Sequence, residues 1–267
     1  MDRDTYIRQA LREHLLTDSY MQLTKNEATT RMESIKSTLK NIFHNNQHLL
    51  SKPEVTYFKR ILKTRFRLPM FHGLPKVHKN PISLCPVVSS SNSLLSVFST
   101  WLDYRMKELL PLLDSYLKDS TTFINELKNI RLPETARILT VDAKSMYTNI
   151  NMDAGLTAVE NFLTFNKGKL PDNFPSDFFL RTLVIVMRNN IFSFTDSFWL
   201  QLSRTAMGTP IACSYATVTF GHFENCMLLP SFRENLIYYR RYIDDIFGIW
   251  LPPTTNRHTP GQPLKIL

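Results

Sequence analysis

The stretch Leu236-Ile237-Tyr238-Tyr239-Arg240-Arg241-Tyr242-Ile243-Asp244-Asp245-Ile246-Phe247-Gly248-Ile249-Trp250 decides how this chain is read. Both flanks are β-branched and aromatic, so they read as two strands joined at the paired aspartates Asp244 and Asp245. Two carboxylates at a hairpin tip concentrate negative charge on a rigid support, and both stay ionised only with water or cations around them. Hard oxygen ligands of this kind suit magnesium, which keeps several waters and takes one or two carboxylates plus substrate phosphates. Taken alone, the four residues fit a solvated turn equally well, and the rest of the chain has to decide.

Working outward, residues 137–142 (Arg-Ile-Leu-Thr-Val-Asp) alternate and are β-branched, which predicts a strand terminating at Asp142. The turn after it carries Tyr147 and Asn149, and helices are expected over 153–165 and 178–187. Residues 191–194 and 198–202 flank Thr195-Asp196-Ser197 as a hairpin. In Ala206-Met207-Gly208-Thr209-Pro210, Thr209 reads as an N-cap with Pro210 at the first helical position. The helix expected there carries Ala212, Ala216, Phe220, Phe223 and Met227 on one stripe.

The first half is mainly helical in pattern. Thr24 and Glu27 have capping-box form, and Met32, Ile35, Leu39, Ile42 and Phe43 then recur at helical spacing. Residues 69–79 break this pattern with prolines, a glycine and spaced bases, predicting extended structure with a small basic cluster of Lys76, His78 and Lys79. Residues 85–88 read as a short buried strand, followed by a Ser-rich turn. Residues 94–113 and 123–130 return to helical spacing. The fold class expected is α+β, with antiparallel strands and no internal repeat.

Composition supplies bounds. With 267 residues the chain can bury a sizeable core. An excess of 32 Lys+Arg over 23 Asp+Glu, formally +9, favours a polyanionic partner such as nucleic acid. Cys85, Cys213 and Cys226 lie far apart without metal-ligand spacing, which argues against a disulfide framework and for a reducing, intracellular compartment, the nucleus included. No apolar run approaches membrane-spanning length, so no membrane partner is expected.

Two acidic sites stand out, Asp142 ending one strand and Asp244/Asp245 between two others. If those strands are neighbours, the carboxylates converge at one sheet edge, facing a cleft. Such a cluster suits two divalent ions about 3.5–4 Å apart, the spacing used for in-line nucleotidyl displacement.

Tyr242-Ile243-Asp244-Asp245 resembles the aspartate-pair motif of reverse transcriptases. Asp142 with Tyr147 five positions on resembles their first palm motif, and residues 206–210 resemble the glycine loop and helix between the two. Phe71-His72-Gly73-Leu74-Pro75-Lys76-Val77-His78-Lys79 is similar to the fingers segment of Penelope-like retroelements, which belong near telomerase in that group. The resemblance runs from about residue 16 to 250, and four motifs in order make it far more specific than any one.

The resemblance implies a right-hand polymerase of fingers and palm: an N-terminal helical region (1–50), a fingers-like region (51–136), a palm-like catalytic region (137–250) and a disordered tail (251–267). It implies RNA-directed DNA polymerisation with two magnesium ions, dNTPs, a DNA primer and an RNA template. Asp142, Asp244 and Asp245 become the catalytic, metal-binding carboxylates, with the Ala143 carbonyl as an extra ligand. Tyr147 becomes the gate that excludes a ribose 2′-OH, and Gly208 lets the backbone approach nucleotide and template. Lys76 and Lys79 meet triphosphate or template phosphates.

Two departures from the family's pattern stand out. Cys85 occupies the place where the family commonly carries an arginine, and a thiol makes no bidentate phosphate contact. Only 22 residues follow Asp245, so the expectation is a truncated copy without thumb, primer grip or GIY-YIG endonuclease. The alternative is a catalytically inert remnant that only binds nucleic acid.

Overall fold

The computed structural model describes residues 1–144, 146–205 and 207–252. The stretch 253–267, expected to be a disordered tail, lies outside the described residues. The chain runs α1 (Arg3–Ala10), β1 (Tyr20–Leu23), α2 (Lys25–Asn46), α3 (Lys52–Ile61), β2 (Met70–Lys76), β3 (Ser83–Ser89), α4 (Leu94–Lys107), α5 (Ser120–Lys128) and β4 (Arg137–Asp142). It continues through α6 (Met146–Asn149), α7 (Met152–Phe165), α8 (Ser176–Arg188), β5 (Ile191–Phe194), β6 (Ser197–Gln201), α9 (Ala212–Phe223), α10 (Leu229–Phe232), β7 (Leu236–Tyr242) and β8 (Asp245–Trp250). The architecture is α+β, as the residue patterns imply.

Local chemistry sets most of these boundaries. The Thr24 hydroxyl accepts from the Glu27 amide while the Glu27 carboxylate accepts from the Thr24 amide, closing a capping box at the start of α2. Ser51 and Glu54 repeat the device at α3, and Glu54 also accepts from the Trp101 indole, tying α3 to α4. The stripe expected on α2 is the face it buries, with Ile35, Leu39 and Phe43 in the main core and Met32 and Ile42 packed against it.

Two sheets result. A five-stranded sheet has the order β1-β6-β5-β2-β3, and a three-stranded sheet the order β4-β8-β7. The smaller sheet is wholly antiparallel, and the larger one departs from that expectation at one bridge, where β2 meets β5 in parallel at Met70 and Ser193. The larger sheet also draws strands from both sides of the boundaries placed at 50/51 and 136/137. Residues 20–23 lacked a visible strand signal because only four residues pair with β6.

The helix after Gly208 needs correction. It starts at Ala212 with Ile211 as N-cap and no capping side chain, so Thr209 and Pro210 belong to the preceding turns. Its buried residues lie around the whole circumference, including Ser214, Tyr215, Thr217 and Val218, whereas Phe223 and Met227 of the expected stripe are exposed. A central helix enclosed by neighbours has no single apolar stripe to read. A π-helical turn, Glu224–Leu228, follows α9 and holds Glu224 buried.

Candidate active site

The β7–β8 hairpin carries the aspartate pair on a two-residue turn. Tyr242 is the Cα partner of Asp245, leaving Ile243 and Asp244 as the turn residues. Ile243 has φ +58, a left-handed conformation that a β-branched residue rarely adopts. Such strain persists only where the surroundings over-determine it. Here the Ile243 carbonyl accepts from Arg241 Nη1 at 2.9 Å, and the Asp244 carbonyl accepts from the Ala143 amide at 2.8 Å.

Arg241 is fully buried. Its Nε and Nη2 donate to the two carboxylate oxygens of Glu224 at 2.7 and 3.0 Å, and Nη2 also donates to the Thr217 carbonyl. Glu224 further accepts from the hydroxyls of Ser115 and Tyr239. Burial, followed by the Glu224 charge and hydrogen bond, pushes the Tyr239 phenol far above its usual value. The segment around Tyr116 completes the clamp by bridging to Arg241 along the free edge of β7.

On the neighbouring strand, Asp142 is the Cα partner of Asp245. The two carboxylates therefore stand opposite one another on one sheet face, both exposed, and line a hollow of about 490 Å³ with Thr140, Arg240, Tyr242 and Phe247. Helix α5 covers the rest of that face, with Phe123 edge-on to Phe247 and Glu126 accepting from Tyr238 and Arg240. Like charges directly opposite on adjacent strands destabilise a sheet, and a cation between them removes the repulsion. Two carboxylates, with water and phosphate oxygens completing the shell, fit a magnesium-type ion.

Asp244 lines a second hollow, of about 470 Å³, together with Tyr147, Lys76 and Cys85. Asp142 and Asp245 thus line the first hollow, and Asp244 lines the second with Tyr147. Among the described residues no group of three or more His, Cys, Asp or Glu side chains stands close enough to hold one ion.

Tyr147 lies on the short helix α6, half-buried, and its carbonyl accepts from the Thr205 amide. Burial raises its phenol strongly, helped by a hydrogen bond to Cys213 and by the charges of Cys213 and Asp244. The same hollow contains residues the sequence did not single out: Glu13, His14, Tyr20, Gln201 and Arg204. They come from α1's extension, β1, the end of β6 and the β6–α9 loop, segments that β1–β6 pairing and the hydrogen bonds of Glu13 and His14 to Leu84 bring together. Burial, opposed by a hydrogen bond to Leu84 O and by Glu13, and reinforced by Arg204 and Lys76, holds His14 below its usual value. Burial alone would raise Glu13, but hydrogen bonds from the Leu84 amide and Gln9 outweigh it and lower its pKa.

The remaining expected residues are placed as follows. Lys79 sits in the β2–β3 turn, its amide donating to Lys76 O, and does not line the hollow. Gly208 has φ +99, and a Cβ there would meet Val88 O at 2.3 Å. Its lack of a side chain therefore serves contact with β3. A further hollow, about 920 Å³, lies away from the aspartate pair, among α3, α4 and residues 172–175. No helix of the described residues is long and apolar enough to cross a membrane.

No protein-family model and no curated protein matches the chain. Solved structures similar in fold include a Candida tropicalis telomerase truncated from its C-terminal domain, 13% identical over 74% of this chain and 48% of that chain, with a TM-score of 0.48. Another is the BmCPV RNA-dependent RNA polymerase in its elongation state, 14% identical over 88% of this chain and 22% of that chain, also at 0.48. The chain thus spans about half the length of the first and about a fifth of the second. Both likenesses are remote, and the activity has to be read from the residues of the site.

Proposed function

We propose that the chain is the fingers-and-palm region of a template-directed nucleic-acid polymerase of the reverse-transcriptase kind, of a retroelement resembling the Penelope-like group. The observation that carries this reading is the register placing Asp142 opposite Asp245, with Asp244 and Tyr147 sharing the adjoining hollow. Asp142, Asp244 and Asp245, with the Ala143 carbonyl, would hold two magnesium ions. When bound, such ions neutralise a triphosphate and lower the pKa of an attacking hydroxyl.

The chain's own residues do the positioning. Arg241 and the Ala143 amide hold the turn, so that the carboxylates meet the primer end in a fixed orientation. Tyr147 closes the sugar side of the dNTP hollow. Lys76 supplies charge to the triphosphate, Lys79 meets template phosphates outside it, and Gly208 keeps the loop flat where template passes. The partners are an RNA template, a DNA primer and dNTPs, and the three free cysteines fit an intracellular, nuclear setting.

The test is primer extension by the 267-residue chain with magnesium, an RNA template and dNTPs, beside Asp244→Asn and Tyr147→Val. Extension that Asp244→Asn abolishes and Tyr147→Val opens to ribonucleotides supports the reading. Extension indifferent to Asp244→Asn sinks it. A second reading, a nucleic-acid binder without polymerase activity, is favoured by the divided aspartates and by α5 over the sheet face. It expects RNA binding with no extension at any magnesium concentration.

A further inference from the structure

Arg204 is the residue of the second hollow whose presence local structure does not explain. It has φ +70, a left-handed conformation that costs a non-glycine residue free energy. Glycine would occupy the position without strain. Strain of this kind persists where the surroundings impose it and clusters at ligand clamps. The surroundings are specific: Gln201, buried, donates through Nε2 to the carbonyls of Ser203 and Arg204 at 2.9 and 3.3 Å. Gln201 is itself fixed by the Asn190 amide at 2.8 Å, and on the other side the Thr205 amide donates to Tyr147 O. The backbone is thus clamped on both sides of Arg204, between the strand β6 and the gate helix α6.

The side chain is exposed and lines the hollow shared by Tyr147 and Asp244. Among the described residues its guanidinium has no ion-pair partner, although Glu13 lines the same hollow. Glu13 is committed to the Leu84 amide and to Gln9. Cys85 lines this hollow as well and offers no charge where the resemblance leads one to expect an arginine. Lys76, on β2, is the other cation there, and it is a point charge without a planar fork. An unpaired guanidinium on a clamped loop, facing a hollow with a lysine, matches a ligand that carries several phosphate oxygens.

We propose that Arg204 takes the place of the arginine absent at position 85 and binds the triphosphate of an incoming nucleoside triphosphate, with Lys76 as its partner. This rests on the polymerase reading of the site. The test is calorimetric titration of the full chain with dTTP in magnesium, and with thymidine as the phosphate-free probe. Arg204→Gly should weaken dTTP binding by roughly 10- to 100-fold, the range expected for one or two charge-assisted hydrogen bonds. Its melting temperature should be unchanged or higher, because glycine relieves the left-handed strain. Arg204→Gln, which keeps a long polar side chain, should lose dTTP affinity too, and Cys85→Arg in the Arg204→Gly background should recover part of it. Equal dTTP affinity of Arg204→Gly, Arg204→Gln and wild type overturns this inference and leaves the polymerase reading standing. A wild-type chain that binds no dTTP overturns both.

Discussion

At the scale of single residues, Gly208 decides whether the loop before α9 can lie against β3. Val88 N donates to Met207 O at 2.9 Å and Ser90 Oγ to Gly208 O at 3.0 Å, so the two backbones run in contact. Gly208→Ala places a methyl where Val88 O stands, at a φ that alanine resists, and should cost about 2 kcal/mol or more in urea unfolding. His14 lines the hollow shared by Tyr147 and Asp244. Its folded pKa is lowered, so below the ordinary value of 6.5 the unfolded chain takes up a proton that the folded chain refuses. Stability is therefore fully present above pH 6.5 and declines as pH falls from there through the folded value. His14→Gln should flatten that part of a stability-against-pH curve, and an unchanged slope would assign it to other groups.

At the scale of elements, the β7–β8 hairpin holds two kinds of charge for opposite reasons. Arg241 and Glu224 are buried and fully engaged, so removing one strands the other in a low-dielectric interior. Arg241→Met should cost about 3–5 kcal/mol by denaturant unfolding, and Arg241→Met with Glu224→Leu should recover part of it. Because Arg241 also holds the Ile243 carbonyl, amide exchange at Asp244 and Asp245 should accelerate in Arg241→Met more than the global loss of stability accounts for. Asp142 and Asp245, by contrast, are exposed and repel across the strands. Asp245→Asn should slightly raise the melting temperature in EDTA and shrink the further rise that magnesium produces in the wild-type chain. A magnesium response as large as wild type would take Asp245 out of the ion site.

At the scale of the whole molecule, the +9 excess predicts that the association with RNA proposed above is largely electrostatic. Binding of a primer–template duplex should weaken steadily as salt rises, with log affinity linear in log salt and little dependence on sequence. A salt-independent affinity, measured by fluorescence anisotropy between 50 and 200 mM salt, would contradict that expectation. The two sheets share responsibility for this surface. The smaller presents the aspartates, and the larger carries Lys76 and Cys85 on β2 and β3, with Arg204 following β6.

What the sequence determined by itself was local. The capping box at Thr24, the strand ending at Asp142, the hairpin around Thr195-Asp196-Ser197 and the aspartate turn all follow from residues near one another in the chain, where propensity and alternation suffice. The opposition of Asp142 and Asp245 was legible as a condition on two strands being neighbours, and β4–β8 pairing met it. Only the tertiary structure decided the rest. It set Asp244 beside Tyr147, Lys76 and Cys85 in one hollow, residues that lie far apart in the chain. It brought Glu13, His14 and Arg204 to the hollow of Tyr147 and Asp244, since pairing of β1 with β6 joins residues about 180 positions apart. It also enclosed α9 on all sides, so the helix most central to the site carried no amphipathic signal to read.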